Sequence, residues 1–344
     1  MFEANKPTYV IAEIGANHNG DIDLAKKMID AAKECGADAA KFQSWDTTLF
    51  SKTVYEKNFF LGDDYRERDD YTLKEIVEEF SVSFEEMKEL ADHCRKVGID
   101  FASTPFNVRQ VDELVELGAP YVKIASMDVN NTRLLSAAAA TGLPVILSTG
   151  FAQLDEIDQA VRWLEQAGCK ELVILHCISL YPPHDEEVNL DNMDMLRDTF
   201  GYPTGFSDHT MGTEIAIASI AKRAVILEKH FTLDQNMFGW DHKISSTPDD
   251  IRTICTARDR IFQALGSKRR VVGDREMERR NEYRRSVVSA RALKAGQVLT
   301  QDDIDFRRPG TGLAPPFAEH LIGLKLGRDV GEDTLLTLED FIGG

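Results

Sequence analysis

The chain has 344 residues, 43% of them hydrophobic and 28% charged, which is enough apolar content to bury a sizeable core. Forty basic residues against 58 acidic ones leave a net charge of −18, which argues against nucleic acid or an anionic membrane as partner, since both select a basic face. Five widely spread cysteines without a C-x-x-C pair, no basic-then-apolar leader and no apolar run near the ~20 residues that cross a bilayer predict a soluble cytoplasmic protein with reduced thiols.

From Tyr9 onward, short apolar runs alternate with amphipathic stretches. A strand over 9–14 carries Glu13 and enters the turn Ala16-Asn17-His18-Asn19-Gly20; a helix follows over 22–35. The next strand, 39–43, carries Lys41 and Gln43. The stretch 44–71 then breaks the rhythm with charge and aromatic residues (Trp45, Phe50, Tyr55, Phe59, Phe60, Tyr65). Directly after a strand it reads as a lid, a subunit contact or a plain surface excursion. Helix 84–97 leads to strand 100–103, ending at Ser103-Thr104, and helix 108–117 to strand 121–124, which carries Lys123 and precedes Ser126. Strand 145–148 ends at Ser148-Thr149-Gly150 and is followed by helix 154–167. Strand 172–176 ends at His176 and leads to Cys177, Ser179 and Tyr181. Strand 204–206 runs into Ser207-Asp208-His209, helix 213–223 follows, and strand 225–228 runs into Glu228-Lys229-His230. Gly36, Gly98, Gly118, Gly142 and Gly168 each precede a strand, where helices favour a left-handed terminator.

Eight strands alternating with helices, the last over 249–265, predict an α/β protein built as a (β/α)8 TIM barrel over residues 1–266. A doubly wound sheet is the weaker alternative, because no Gly-rich phosphate fingerprint follows the first strand. Residues 267–282, with Lys268-Arg269-Arg270 and Arg279-Arg280, read as a solvated linker, and 283–344 as a small C-terminal domain.

Every predicted strand ends in polar residues, and the C-terminal rim is where barrel enzymes keep their active sites. An enzyme is therefore expected. Consecutive strand ends lie side by side, so His209 and His230 should meet, and two neutral imidazoles suit a divalent metal whose remaining positions go to water and substrate. Lys41 and Lys123 at the same rim predict an anionic substrate, bound through phosphate or carboxylate contacts. Glu13 reads as a catalytic or orienting acid, with a buried salt bridge as the competing reading. Ser126, Ser148 and Ser207 could equally be turn formers. His176 could be a core histidine and His18 a phosphate contact or a turn residue; Cys177 is expected to be an inert buried thiol.

Taken together these residues resemble the sialic acid synthase family over nearly the whole chain. The resemblance rests on 12–20 (AEIGANHNG), Lys41-Phe42-Gln43, Ser103-Thr104-Pro105-Phe106, Lys123-Ile124-Ala125-Ser126, Ser148-Thr149-Gly150, His176-Cys177, Tyr181-Pro182, Ser207-Asp208-His209-Thr210 and Glu228-Lys229-His230-Phe231-Thr232. Arg308-Pro309-Gly310-Thr311-Gly312 looks like the antifreeze-like SAF module at the C-terminus of these enzymes. The resemblance implies condensation of phosphoenolpyruvate with an N-acylated mannose-type sugar, giving a nine-carbon 3-deoxy-2-keto acid and phosphate. It also implies His209 and His230 as ligands of a divalent metal, usually manganese with magnesium or cobalt as substitutes, and Glu13 as the acidic catalytic residue. Lys41, Gln43, Thr104, Lys123, Ser126, Ser148 and Ser207 match the phosphoenolpyruvate positions. Tyr181 and Asp241 match the sugar side, and Arg308 matches a tail arginine that reaches the partner's site in a domain-swapped homodimer.

Three departures from the family pattern all fall on the sugar side. Met127-Asp128 stands where Gly-Glu is usual, Trp240 interrupts the usual Gly-Pro-Asp-His within Gly239–His242, and Ser179 replaces an asparagine. The acceptor is therefore N-acetylmannosamine, a 2,4-diacetamido-trideoxy sugar of the legionaminic or pseudaminic type, or a relative. Two rival readings are a Schiff-base pyruvate aldolase using Lys123 or Lys229 and a non-catalytic sugar-binding barrel.

Overall fold

In the computed structural model eight parallel strands carry the first unit: Tyr9–Gly15 (β1), Ala39–Gln43 (β2), Asp100–Thr104 (β3), Val122–Ile124 (β4), Val145–Ser148 (β5), Leu172–Cys177 (β6), Thr204–Asp208 (β7) and Ile226–His230 (β8). The structure describes residues 1–3, 5–51, 53 and 73–342, so most of the expected lid over 44–71 lies outside the described residues. β1 pairs with both β2 and β8, so the first and last strands of the unit are neighbours. The hydrogen-bonded order is β3-β2-β1-β8-β7-β6-β5-β4, and β3 lies beside β4 at the seam. Each strand is followed by at least one helix, so the architecture is the predicted (β/α)8 barrel.

Alternation sorts the side chains. On β1 and β2, Val10, Ala12, Ile14, Ala40 and Phe42 face the helices and join one apolar cluster with Phe206, Leu227 and helix residues such as Met28 and Leu90. The opposite parity points inward: Ile11, Ala39, Ala102, Tyr121, Ile146, Val173 and Ile226 fill the lower barrel, with Phe2 beneath them. The rings of Phe2, Tyr9 and Tyr121 meet edge-on there, 5.2–6.2 Å apart. Above this apolar floor the inward positions turn polar, which is where the chemistry-bearing residues collect.

Two helices run through sequence with little periodic signal, Thr132–Ala140 and Asn192–Phe200. The first is largely alanine; its buried face is Leu134, Leu135, Ala138 and Ala139, and only high intrinsic propensity marks it. Among the described residues no helix is long and apolar enough to cross a membrane.

The second unit spans Ser267–Gly344. The expected linker is not coil throughout: Asp274–Tyr283 is a helix with no buried residue. Strands Ser286–Ser289 (β9) and Ile304–Arg307 (β10) pair antiparallel, over a core of Val287, Leu293, Leu299, Leu321, Leu326, Leu336 and Phe341. One pattern occurs twice. Asp303 accepts from Thr300 N (2.9 Å) and Arg291 Nε (2.8 Å), and Asp340 accepts from Thr337 N (2.7 Å) and Arg328 Nε (2.6 Å). Gly296 and Asp333 take left-handed backbone at equivalent points of the two copies.

Candidate active site

The first polar layer of the barrel interior holds two cations and two carboxylates. Lys41 Nζ lies 2.6 Å from Glu13 Oε2 and 3.5 Å from Glu228 Oε2, and donates to Thr104 Oγ1 at 2.9 Å. Lys123 Nζ lies 3.6 Å from Glu228 Oε1, which also accepts from Ser207 Oγ at 2.9 Å. Gln43 Nε2 donates to Glu13 Oε1 at 3.0 Å. A bulge in β1 after Glu13 allows this contact: Gly15 takes φ +56°, and a Cβ there would stand 3.3 Å from both Glu13 Oε1 and Gln43 Nε2.

Such a layer is expensive, because buried charges lose hydration that their mutual attraction barely returns, and well-packed apolar residues would be at least as stable. Its expense marks it as a functional candidate. Burial lifts Glu13 above the ordinary carboxylate range although Lys41 pulls it down. Burial alone would raise Glu228 as well, but Lys123 and Lys41 hold it at about 2. Lys41 is driven down by burial and more than restored by Glu13 and Glu228, whereas burial and the charge of Lys41 leave Lys123 below its ordinary value. The layer therefore offers a carboxylate of raised basicity beside two cations already stripped of water.

At the rim above, His209 and His230 stand with ring centroids 5.3 Å apart, and Tyr181 lies 4.2 Å from His209 and 6.1 Å from His230. His209 Nδ1 is 2.8 Å from the Ile178 carbonyl, so Nδ1 carries a hydrogen. His230 Nδ1 is buried without a hydrogen bond, and Asp241 Oδ2 is 3.6 Å away. Burial opposes charge on His209, yet the neighbouring Cys177 thiol raises it to about 9, and Cys177 comes down to about 7 against its own burial through His209. Burial and then the charge of His209 hold His230 well below its ordinary value. Among the described residues no three His, Cys, Asp or Glu side chains converge as a preformed metal cluster. The two imidazoles could hold a metal ion between them, and the His230 Nδ1 without a hydrogen bond fits such an open arrangement.

Beside this pair, Ser126, Ser148, Cys177 and Ser179 gather around Gly150. Gly150 N donates to Ser126 Oγ at 3.0 Å, Ser126 Oγ is 3.5 Å from Cys177 Sγ, and Ser148 Oγ is buried with no hydrogen bond. A Cβ on Gly150 would fall 2.0 Å from Ser179 Oγ and 2.8 Å from Ser126 Oγ.

Other sequence candidates lie elsewhere. His176 faces the helices, with Nε2 2.6 Å from the Val188 carbonyl and its ring stacked on Phe206. His18 is buried in its turn and accepts from Gly20 N at 3.0 Å. Lys229 is buried against Asp208 at 2.7 Å. Arg308 belongs to the second unit, where its guanidinium lies 5.0 Å from the centroid of the Tyr283 ring. Trp240, in the segment after β8, packs against Trp45, in the segment after β2, with centroids 4.2 Å apart. Sequence reasoning passed over Glu228 as an inward charge, although it stands two residues before His230 and strand parity puts both on one face.

The NeuB family model matches residues 28–270, and the SAF domain model matches residues 284–342. The chain is 36% identical to the N,N'-diacetyllegionaminic acid synthase of Campylobacter jejuni, over 96% of this chain and 99% of that protein. It is 32% identical to the human N-acetylneuraminate-9-phosphate synthase, over 97% of this chain and 92% of that one. The solved structure of the Bacillus subtilis spore coat polysaccharide biosynthesis protein SpsE superposes with a TM-score of 0.64 at 31% identity, covering 98% of this chain and 96% of that one.

Proposed function

The chain belongs to the NeuB family, and on that premise we propose that it condenses phosphoenolpyruvate with the open-chain aldehyde of an N-acylated mannose-type sugar to give a nine-carbon 3-deoxy-2-keto acid and phosphate. The observation that carries this reading is the stacking of two layers: buried Lys41 and Lys123 with Glu13, directly below the paired imidazoles of His209 and His230.

Phosphoenolpyruvate brings roughly three negative charges in its phosphate and carboxylate. Lys41 and Lys123 answer them from a dry site, where each interaction is worth more than in water. Gln43, Thr104, Ser126, Ser148 and Ser207 line the anion's pocket with neutral polar groups. A divalent metal, manganese by preference, held by His209 and His230 would polarise the sugar aldehyde. The C3–C2 π pair then forms the new bond to the aldehyde carbon. Glu13, with its raised basicity, takes a proton from the water that adds at C2, and the C2–O bond to phosphate breaks as the 2-keto group forms. Tyr181 and Asp241 line the sugar side. Arg308 is read as a contact to the sugar bound by a partner chain in a domain-swapped homodimer. If so, mixing Arg308→Ala and His209→Ala chains after dissociation recovers activity that neither has alone; no recovery contradicts the swap.

The Trp45–Trp240 pair supports an acceptor with a less polar face, of the 2,4-diacetamido-trideoxy type, rather than N-acetylmannosamine. The test is phosphate release with manganese across a panel of N-acylated sugars. The trideoxy acceptors are expected to lead by about tenfold in kcat/KM, and Trp240→Pro to narrow that gap. A lead for N-acetylmannosamine in both proteins would refute the assignment of acceptor but not of reaction class.

Gly150→Ala is expected to fold and to raise the KM for phosphoenolpyruvate by about a hundredfold, because its Cβ displaces Ser126 and Ser179. A KM within twofold of wild type would remove this pocket from the anion site. The lowered basicity of Lys123 is the one feature that favours Schiff-base chemistry. Borohydride with pyruvate is expected to leave no adduct on Lys123, and an adduct would favour the aldolase.

A further inference from the structure

Asp208 and Lys229 precede the two rim histidines and sit opposite one another in the β7–β8 register. Strand parity turns them to the outer face of the barrel, behind His209 and His230, where Phe206 and Leu227 belong to the apolar core under the helices. The ion pair is 2.7 Å long and its two side chains are 0% and 1% exposed. Lys229 Nζ also donates to the Thr210 carbonyl at 2.8 Å, and Asp208 Oδ1 accepts from Thr210 N at 2.9 Å and Thr210 Oγ1 at 2.8 Å.

A full ion pair in that layer is not needed for stability, since matched apolar residues pack there at no loss. What it supplies is direction. The contacts tie the residue before His209 to the residue after it, and both to the residue before His230. The peptides flanking the two imidazoles are thereby held in one rigid frame across two strands.

We propose that Asp208 and Lys229 form a positioning pair that fixes the separation and aim of the His209 and His230 rings, so that both reach one divalent ion. This rests on the reading of the two imidazoles as the metal-holding pair. Outer partners of metal-ligating histidines commonly control affinity by about ten- to a hundredfold. Here the control would pass through the backbone rather than through a hydrogen bond to the ring.

The test is Mn2+ binding to the full-length protein, followed by calorimetry and electron paramagnetic resonance. It compares wild type, His230→Ala, Asp208→Asn and the apolar double variant Asp208→Leu/Lys229→Met, each checked for folding by circular dichroism. Wild type is expected to bind one ion and His230→Ala none; if His230→Ala binds as wild type does, the metal reading itself fails. With that reading standing, the folded double variant is expected to bind Mn2+ at least about tenfold more weakly. Its kcat should fall while its KM for phosphoenolpyruvate stays, because Lys41 and Lys123 lie on the inner face and are untouched. Asp208→Asn, which keeps the Thr210 hydrogen bonds, should fall between the two. Wild-type Mn2+ affinity in either folded pair variant would overturn the proposal.

Discussion

Lys41→Met is expected to remove turnover and to destabilise the barrel at once. Lys41 is the one cation within 4 Å of both Glu13 and Glu228 among the described residues, and its side chain is 2% exposed. Without it, Glu13 loses its ion pair and Glu228 keeps only Lys123, at 3.6 Å. Leaving a buried charge uncompensated costs about 3–5 kcal/mol, so thermal unfolding should move down by many degrees. The substrate anion also loses a desolvated donor, worth about a thousandfold in kcat/KM. The double variant Lys41→Met/Glu13→Gln separates the two effects. Neutralising Glu13 should return much of the stability and none of the activity. If the double variant is as unstable as the single one, the loss comes from packing and not from the stranded carboxylate.

His230→Ala is expected to cut turnover by about a thousandfold or more, with little change in stability. The ring makes no hydrogen bond through Nδ1, and it lies beside the rings of His209 and Tyr181 and 3.6 Å from the carboxylate of Asp241. Removing it should therefore leave the fold intact while taking away half of the protein's grip on a metal. Stoichiometric Mn2+ binding should be lost along with phosphate release. Activity near wild type would refute the role given to the pair.

Much of the architecture could be read from the sequence because the barrel's strands are short apolar runs with polar ends, and most helices between them have a clear amphipathic face. That pattern places the strand ends of β7 and β8 together, and the two histidine rings do lie side by side. What escaped had weaker local signals. The alanine run of Thr132–Ala140 has no polar contrast to reveal a face. The helix Asp274–Tyr283 buries nothing, so its sequence looks like a solvated connector. The duplicated Thr-x-x-Asp turns of the second unit stand far apart in the chain, and the matching arginines become meaningful only once both aspartates are seen to be buried.

The site was legible in its residue types but not in its pairing. Lys41, Lys123 and Glu13 could be placed on the rim, and parity turns Glu228 inward with His230, yet nothing local says that Glu228 meets both lysines or that Lys229 meets Asp208. Both facts follow from strand parity combined with the exact register of neighbouring strands, and register is set by the closed barrel rather than by any one segment. His176 shows the same limit. A shift of one residue in parity separates a rim histidine from one packed against the helices.

The most direct test of the central claim uses phosphoenolpyruvate labelled with oxygen-18 at the oxygen bridging C2 and phosphorus, turned over with manganese and an accepted sugar. The account predicts one phosphate released per acid formed, with the label carried away in the phosphate, because water adds at C2 and the C2–O bond breaks. Unlabelled phosphate with the label kept in the 2-keto acid would contradict it, as would a nine-carbon acid formed without phosphate release.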